Sequence, residues 1–140
     1  MNPTDLEKIL RDTLATFNSE TGTIHKLHEP TQLLRLLAQA GLPPQLLDVV
    51  SIIPVGKGIA GECAQKNRPV TICNLQTDTS GVAKPGAKQT GVGGAVCVPI
   101  RNGDKIIGTF GIGTKREYNY SAAEINALQD IANSLAAQLT

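Results

Sequence analysis

Aromatic residues are scarce: Phe17, Phe110, Tyr118 and Tyr120 are the only four in 140 residues, and there is no tryptophan. A surface that stacks nucleic-acid bases needs exposed rings, and four scattered ones do not build it. Neither sign of charge is in excess, with 13 basic and 12 acidic side chains, so bulk charge does not steer the chain toward a polyanion. Nucleic acid is therefore not an expected partner. Cysteine is sparse as well. Cys63, Cys73 and Cys97 form no CxxC pair, and an odd count argues against a secreted disulfide framework. Long apolar runs are missing: the best, Val49 to Gly56, is broken by Ser51 and Pro54 and is far too short to cross a bilayer. Met1-Asn2-Pro3-Thr4-Asp5 lacks the basic patch and apolar core of an export signal. The expectation is one cytoplasmic domain over residues 1–140, without membrane or nucleic-acid association.

What is present suffices for a core, since apolar residues make up 41% of the chain. Leu6, Ile9, Leu10, Leu14 and Phe17 recur at helical spacing, which predicts an N-terminal helix within residues 1–18. Thr4 and Glu7 have the spacing of a capping box. Thr23 to Leu27 reads as a strand, and Glu29-Pro30 as a turn. Leu33, Leu36, Leu37 and Ala40 fit a helix or a buried strand, and pattern alone chooses the helix. Gly41-Leu42-Pro43-Pro44 is a break, Gln45 to Val50 a single helical turn, and Ser51 to Val55 a strand. A short helix follows Gly56-Lys57-Gly58 and stops at Asn67 and Pro69. Val70 to Cys73 is a further strand. The glycines between Ser80 and Gly94 predict a mobile loop. Ala95 to Arg101 and Lys105 to Gly113 flank Asn102-Gly103, a hairpin signal in which both turn positions need positive φ. Ser121 and Glu124 open a last helix over residues 121–139, with Ile125, Leu128, Ile131, Ala132, Leu135 and Leu139 on one stripe. Strands between terminal helices give a layered α+β architecture.

Several chemical motifs are approached and not completed. Gly56 to Gly61 spells G-x-G-x-x-G after a strand, and Asp78 lies about twenty residues beyond Gly58. A dinucleotide site also needs a second βαβ unit and an acid closing the next strand; neither is present, so the glycines read as a tight turn packing a helix on the sheet. The P-loop pattern is absent. His25 and His28, three apart on a strand, point to opposite faces, and the cysteines lack the short spacings of a zinc site. The expected arrangement is one buried, hydrogen-bonded histidine and one exposed at the turn, with no metal and no cofactor. Residues 63–103 carry Lys66, Arg68, Lys84, Lys88 and Arg101 against Asp78 alone, so this stretch is +4 and the remainder −3. Lys84 and Lys88, beside a helix start at Gly58-Ile59-Ala60, could hold an anion; the competing reading is a solvated basic loop.

The order of these features resembles the GAF domain family over about Leu6 to Leu139. Gly22-Thr23-Ile24 is similar to that family's first strand, and Leu36-Leu37-Ala38 with Gly41-Leu42-Pro43 to its second strand and break. Ile53-Pro54-Val55-Gly56-Lys57-Gly58-Ile59-Ala60-Gly61 resembles its I-P-x-G-x-G-[IL]-x-G signature, and Val98 to Gly108 its hairpin. The resemblance implies an antiparallel sheet of five or six strands, with terminal helices on one face and a ligand pocket on the other. It also replaces the helix at residues 31–40 with a strand buried on both faces. It further implies a non-catalytic sensor of a small ligand, signalling through the terminal helices to a histidine kinase or transcriptional regulator, as a homodimer; the basic stretch with Lys84 and Lys88 makes an anionic ligand the expectation. Mapped onto this chain, Ile53, Gly58, Ile59 and Ala60 would wall the pocket, Cys73 and Asn74 floor it, residues 80–94 cover it, and Val96 or Cys97 back it. Two alternatives accompany this reading. One is an interaction module with a vestigial pocket. The other is a free methionine-(R)-sulfoxide reductase-like enzyme using Cys63, Cys73 and Cys97. The cysteine separations match that reductase branch but the register does not: Ala60 stands where the branch has its middle cysteine, and Asn74-Leu75 where it has acids.

Overall fold

A computed structural model describes residues 3–72 and 93–139. Helix α1 (Pro3–Thr16) leads into strands β1 (Thr21–His28) and β2 (Leu33–Ala40). A 3₁₀ turn (Pro44–Leu46) and a short helix α2 (Leu47–Ser51) follow, then β3 (Ile52–Pro54), helix α3 (Gly58–Lys66) and β4 (Val70–Ile72). Strands β5 (Ala95–Asn102) and β6 (Lys105–Gly113) form a hairpin, and α4 (Ala122–Leu139) closes the described chain. All six strands form one antiparallel sheet in the order β3-β2-β1-β6-β5-β4. None of the described helices is long and apolar enough to cross a membrane.

The sheet has two unequal faces. α1 packs over β1 and β2, and α4 over β5 and β6. Ile24, Phe110, Val96, Val98 and Ile100 point from the strands into that layer and meet Leu6, Leu10, Leu14, Leu128, Ala132 and Leu135 in one apolar cluster. Both terminal helices thus follow from their stripes, although Ile125 and Ile131 are only partly buried at the stripe's edge. Gly22 lets α1 sit this close: a Cβ there would lie 2.6 Å from Leu10 Cδ1. Strand alternation sends Thr23, His25, Cys97, Thr109 and Gly111 to the other face. There α3 crosses the sheet, and its approach depends on Gly61, where a Cβ would lie 2.5 Å from the Pro54 carbonyl oxygen.

Local signals place the ends of the elements. Ser121 and Glu124 form a capping box, with the Glu124 N–H donating to Ser121 Oγ at 3.1 Å and the Ser121 N–H to Glu124 Oε1 at 2.9 Å. Asn67 ends α3 in the left-handed conformation at φ 52°. Two expectations shift by one residue. α1 is described from Pro3, so Thr4 falls within the helix rather than before it. In the hairpin Asn102 pairs with Lys105, so the turn is Gly103-Asp104, and of Asn102 and Gly103 only Gly103 takes positive φ (64°). That is the type II′ pattern, with glycine at the first central position.

Residues 33–40 form a strand, against their helical periodicity and in line with the family resemblance. A bulge is the physical reason. Ala38 pairs with Ile24 but Leu36 with His25, which leaves Leu37 as an extra residue and reverses the alternation midway. Ala38 joins the core beneath the helices, whereas Leu34, as deeply buried, does not.

Candidate functional site

The helix-free face holds a cavity of about 140 Å³. β1 supplies Thr21, Thr23 and His25 to its floor, β5 supplies Ala95 and Cys97, and β6 supplies Gly111 and Gly113. Leu42, Val50 and Ile53 wall it from the segment between β2 and β3, and Ile59 and Ala60 from the start of α3. Gly111 creates the depth. A Cβ built on Gly111 would lie 3.5 Å from Thr23 Oγ1 and 3.7 Å from Cys97 Sγ, so a side chain there fits the fold and occupies the floor.

The structure brings Ile53, Ile59, Ala60 and Cys97 together around this space. Val96 reaches it only through its backbone, because its side chain belongs to the core under the helices. Gly58 is not part of the lining; it serves the turn, with φ 63° and open space where a Cβ would stand. Cys73, Asn74, Lys84, Lys88 and the loop over residues 80–92 lie outside the described residues. The lining residues missed by sequence reasoning are mainly those of β1 and β6. With Ile24 and Phe110 in the core, strand parity sends their neighbours Thr23, His25 and Gly111 to the other face.

The glycine motif closes on itself. The Gly56 N–H donates to Gly61 O at 2.8 Å, the Lys57 N–H to Pro54 O at 3.1 Å and the Gly61 N–H to Lys57 O at 3.0 Å. These three donors are committed to holding the turn and the helix start, as expected for a packing motif rather than a phosphate grip. Among the described lining residues there is no lysine or arginine.

His25 is the buried histidine, 1% exposed, with Nε2 2.8 Å from the Val50 carbonyl oxygen. A carbonyl only accepts, so Nε2 carries the proton and Nδ1 of the neutral ring is a bare acceptor. Nδ1 is buried without a partner, as is Oγ1 of Thr109, the residue opposite His25 on β6. His28 is exposed at the turn, with Nδ1 2.7 Å from Thr31 Oγ1. Among the described residues no group of three His, Cys, Asp or Glu side chains is placed to hold a metal.

Burial pushes the His25 pKa below its ordinary value, and the Val50 carbonyl offsets only part of that effect. The unfolded chain therefore takes up a proton near pH 6.5 that the folded chain refuses until lower pH. Stability is complete above pH 6.5 and falls as pH drops through the window below it. The expected slope is at most about 1.4 kcal/mol per pH unit. Urea denaturation of wild type and His25→Gln between pH 7.5 and 5 checks this: the slope attributable to His25 disappears in the variant. Equal slopes in both proteins contradict it.

Cys63 of α3 and Cys97 of β5 are free thiols, both buried. The Cys63 pKa is raised far above its ordinary value, first by the hydrogen bond with Cys97 and then by burial, and Arg101 opposes this least. A thiol so held remains protonated at neutral pH and is a poor nucleophile.

A family model described as "GAF domain" matches residues 1–139. Among curated proteins none matches. Among solved structures, the GAF domain of an Acinetobacter phosphoenolpyruvate-protein phosphotransferase superposes with a TM-score of 0.81 at 18% identity, covering 99% of this chain and 82% of that one. The type II free methionine-R-sulfoxide reductase of Thermoplasma acidophilum superposes with a TM-score of 0.79 at 17% identity, covering 97% and 90%. The Neisseria meningitidis free methionine-R-sulfoxide reductase, in complex with its substrate, gives 0.80 at 14% identity, covering 98% and 77%. At these identities the likeness concerns the fold alone.

Proposed function

This chain belongs to the GAF domain family, and from that premise we propose that it is a non-catalytic sensor whose helix-free face binds a small molecule. The observation that carries this reading is the glycine-floored cavity of about 140 Å³ between the sheet and α3. The volume is close to that of apolar cavities that accept a benzene-sized guest. An anionic group on the ligand would be met by Lys84 and Lys88, since the described lining supplies apolar walls and no cation.

Transmission follows from shared strands. Ala95 and Cys97 face the cavity while Val96, Val98 and Ile100, alternating with them on β5, pack under the terminal helices. A ligand that favours one setting of β1, β5 and β6 over another shifts α1 and α4 with it, provided its affinity for the two settings differs. The helices then act on a kinase or transcriptional regulator in the cytoplasm, within a homodimer. The non-catalytic assignment draws support from the Cys63 thiol, whose partner and burial hold it protonated.

A thermal-shift screen of metabolites and inorganic anions tests the reading. At least one compound is expected to raise the wild-type Tm, as any ligand specific to the folded state must. Gly111→Val, which fills the floor without an awkward backbone angle, abolishes that rise, and Lys84→Ala with Lys88→Ala weakens it when the ligand is an anion. A screen without a hit, or hits unaffected by Gly111→Val, contradicts the proposal. Turnover of free methionine sulfoxide with a thiol reductant, lost in Cys97→Ser, would replace it with the reductase.

A further inference from the structure

A second cavity, of about 560 Å³, lies where the end of α3, the β5–β6 turn and α4 meet, and is lined by Asn67, Arg101, Gly103, Asp104 and Asn133. None of these residues lines the first cavity. Arg101 is half-buried there, and its guanidinium is held in one orientation. Nε donates to Asn67 Oδ1 at 2.8 Å, and Nη2 donates to the Asn67 carbonyl oxygen. Asn67 is itself fixed, by its left-handed backbone at the end of α3 and by Nδ2, which donates to the Asp104 carbonyl oxygen at 3.0 Å. The clamp uses two of the five guanidinium N–H groups. Among the described residues no acceptor takes the other three, and no carboxylate forms an ion pair with Arg101.

Neighbouring groups add donors. Gln129 Nε2 donates to Asn133 Oδ1 at 3.0 Å, so Nδ2 is the end of the Asn133 amide left to donate. Gly103 adds a backbone N–H outside the strand ladder, since Asn102 and Lys105 are the last pair before the turn. A guanidinium held in place, with further donors beside it and no protein anion to satisfy it, has the chemistry of an oxyanion receptor. We propose that this cavity is a second binding site, which takes its ligand through a singly charged carboxylate laid against Arg101. The flat guanidinium fork matches a planar carboxylate in two parallel hydrogen bonds. Asp104 is the acid of the lining, and its repulsion grows with ligand charge, which favours a monoanion over a phosphate dianion. The site shares no residue with the first cavity and stands or falls independently of the sensor reading.

Acetate and acetamide are probes of one shape that differ in charge, and inorganic phosphate supplies the dianion. Each is titrated into the full chain by NMR, with sodium chloride holding the ionic strength constant. Acetate is expected to shift the Arg101 Nε–H and Asn133 Nδ2 resonances to saturation at millimolar concentrations, binding roughly tenfold or more tighter than acetamide. Phosphate at pH 7.5 is expected to bind more weakly than acetate. Arg101→Lys keeps the charge but loses the fork and its clamp, and acetate affinity falls roughly tenfold. Asn133→Ala, at an exposed position of α4, weakens acetate binding with the fold intact. Shifts that never saturate, equal responses to acetate and acetamide, or acetate binding unchanged in both variants overturn the site and leave Arg101 as a brace on the end of α3. Phosphate binding tighter than acetate overturns the carboxylate assignment. Should Arg101→Lys fail to fold, the acetate-to-acetamide ratio and Asn133→Ala decide the matter.

Discussion

Phe110→Ala is expected to destabilise the protein by about 3–5 kcal/mol, a large share of the 5–15 kcal/mol that holds a typical domain together. Phe110 is fully buried in β6, paired with Ile24 on one side and Val98 on the other, beneath the layer formed by α1 and α4. With only four aromatics in the chain, no neighbouring ring is available to fill the void. Truncation therefore removes the transfer free energy of the ring and leaves an unrelaxed cavity at the junction of both helices. Urea denaturation measures the loss. A cost under about 1 kcal/mol would place Phe110 outside the shared core and contradict the two-faced sheet.

Gly41→Ala is expected to cost about 2–5 kcal/mol, from left-handed backbone strain and from overpacking together. Gly41 ends β2 at φ 77°, and a Cβ there would lie 2.0 Å from the Glu20 carbonyl oxygen. That obstacle is backbone, so no rotamer change relieves it. The corner matters for function as well as stability, since it launches the segment whose Leu42 and Val50 wall the cavity. Gly103→Ala is the internal control. It has a similar φ of 64° and open space around the added carbon, so it is expected to cost only the strain of about 1–2 kcal/mol. The difference between the two variants isolates the clash, and equal costs would show that the corner is not packed as described.

The parts of this fold legible in the sequence are those decided by neighbours in the chain. Ser121 and Glu124 are three residues apart and cap α4 whatever the sheet does. The same holds for Asn67, which stops α3, and for the stripe of Leu128, Ala132 and Leu135. Strand β2 was hidden from periodicity because the bulge at Leu37 reverses its alternation, and four leucines on both sides of a kink imitate a helix. Only the order of motifs along the chain, read as a family resemblance, restored it. The hairpin turn falls one residue later than its Asn-Gly signal, because Asn102 pairs with Lys105 and leaves Gly103-Asp104 as the turn.

The site was the least legible part. Ile53, Ile59 and Ala60 came from the motif that contains them, but the floor is assembled by pairing across strands distant in sequence. Thr23 lies opposite Gly111, and Gly111 opposite Cys97, a row that spans the sheet and exists only once the register is set. Val96 and Cys97 illustrate the same limit: adjacent residues, one under the helices and one in the cavity. His25 was expected to be buried and hydrogen-bonded. That its partner is the Val50 carbonyl depends on a segment 25 residues away.

The space above Gly111 carries the sensor reading, and crystals of the protein pressurised with xenon examine it directly. Xenon density bounded by Ile53, Ile59, Cys97 and Gly111 in wild type, and absent in Gly111→Val, is the predicted result. Continuous density from the protein's own side chains across that volume would contradict it.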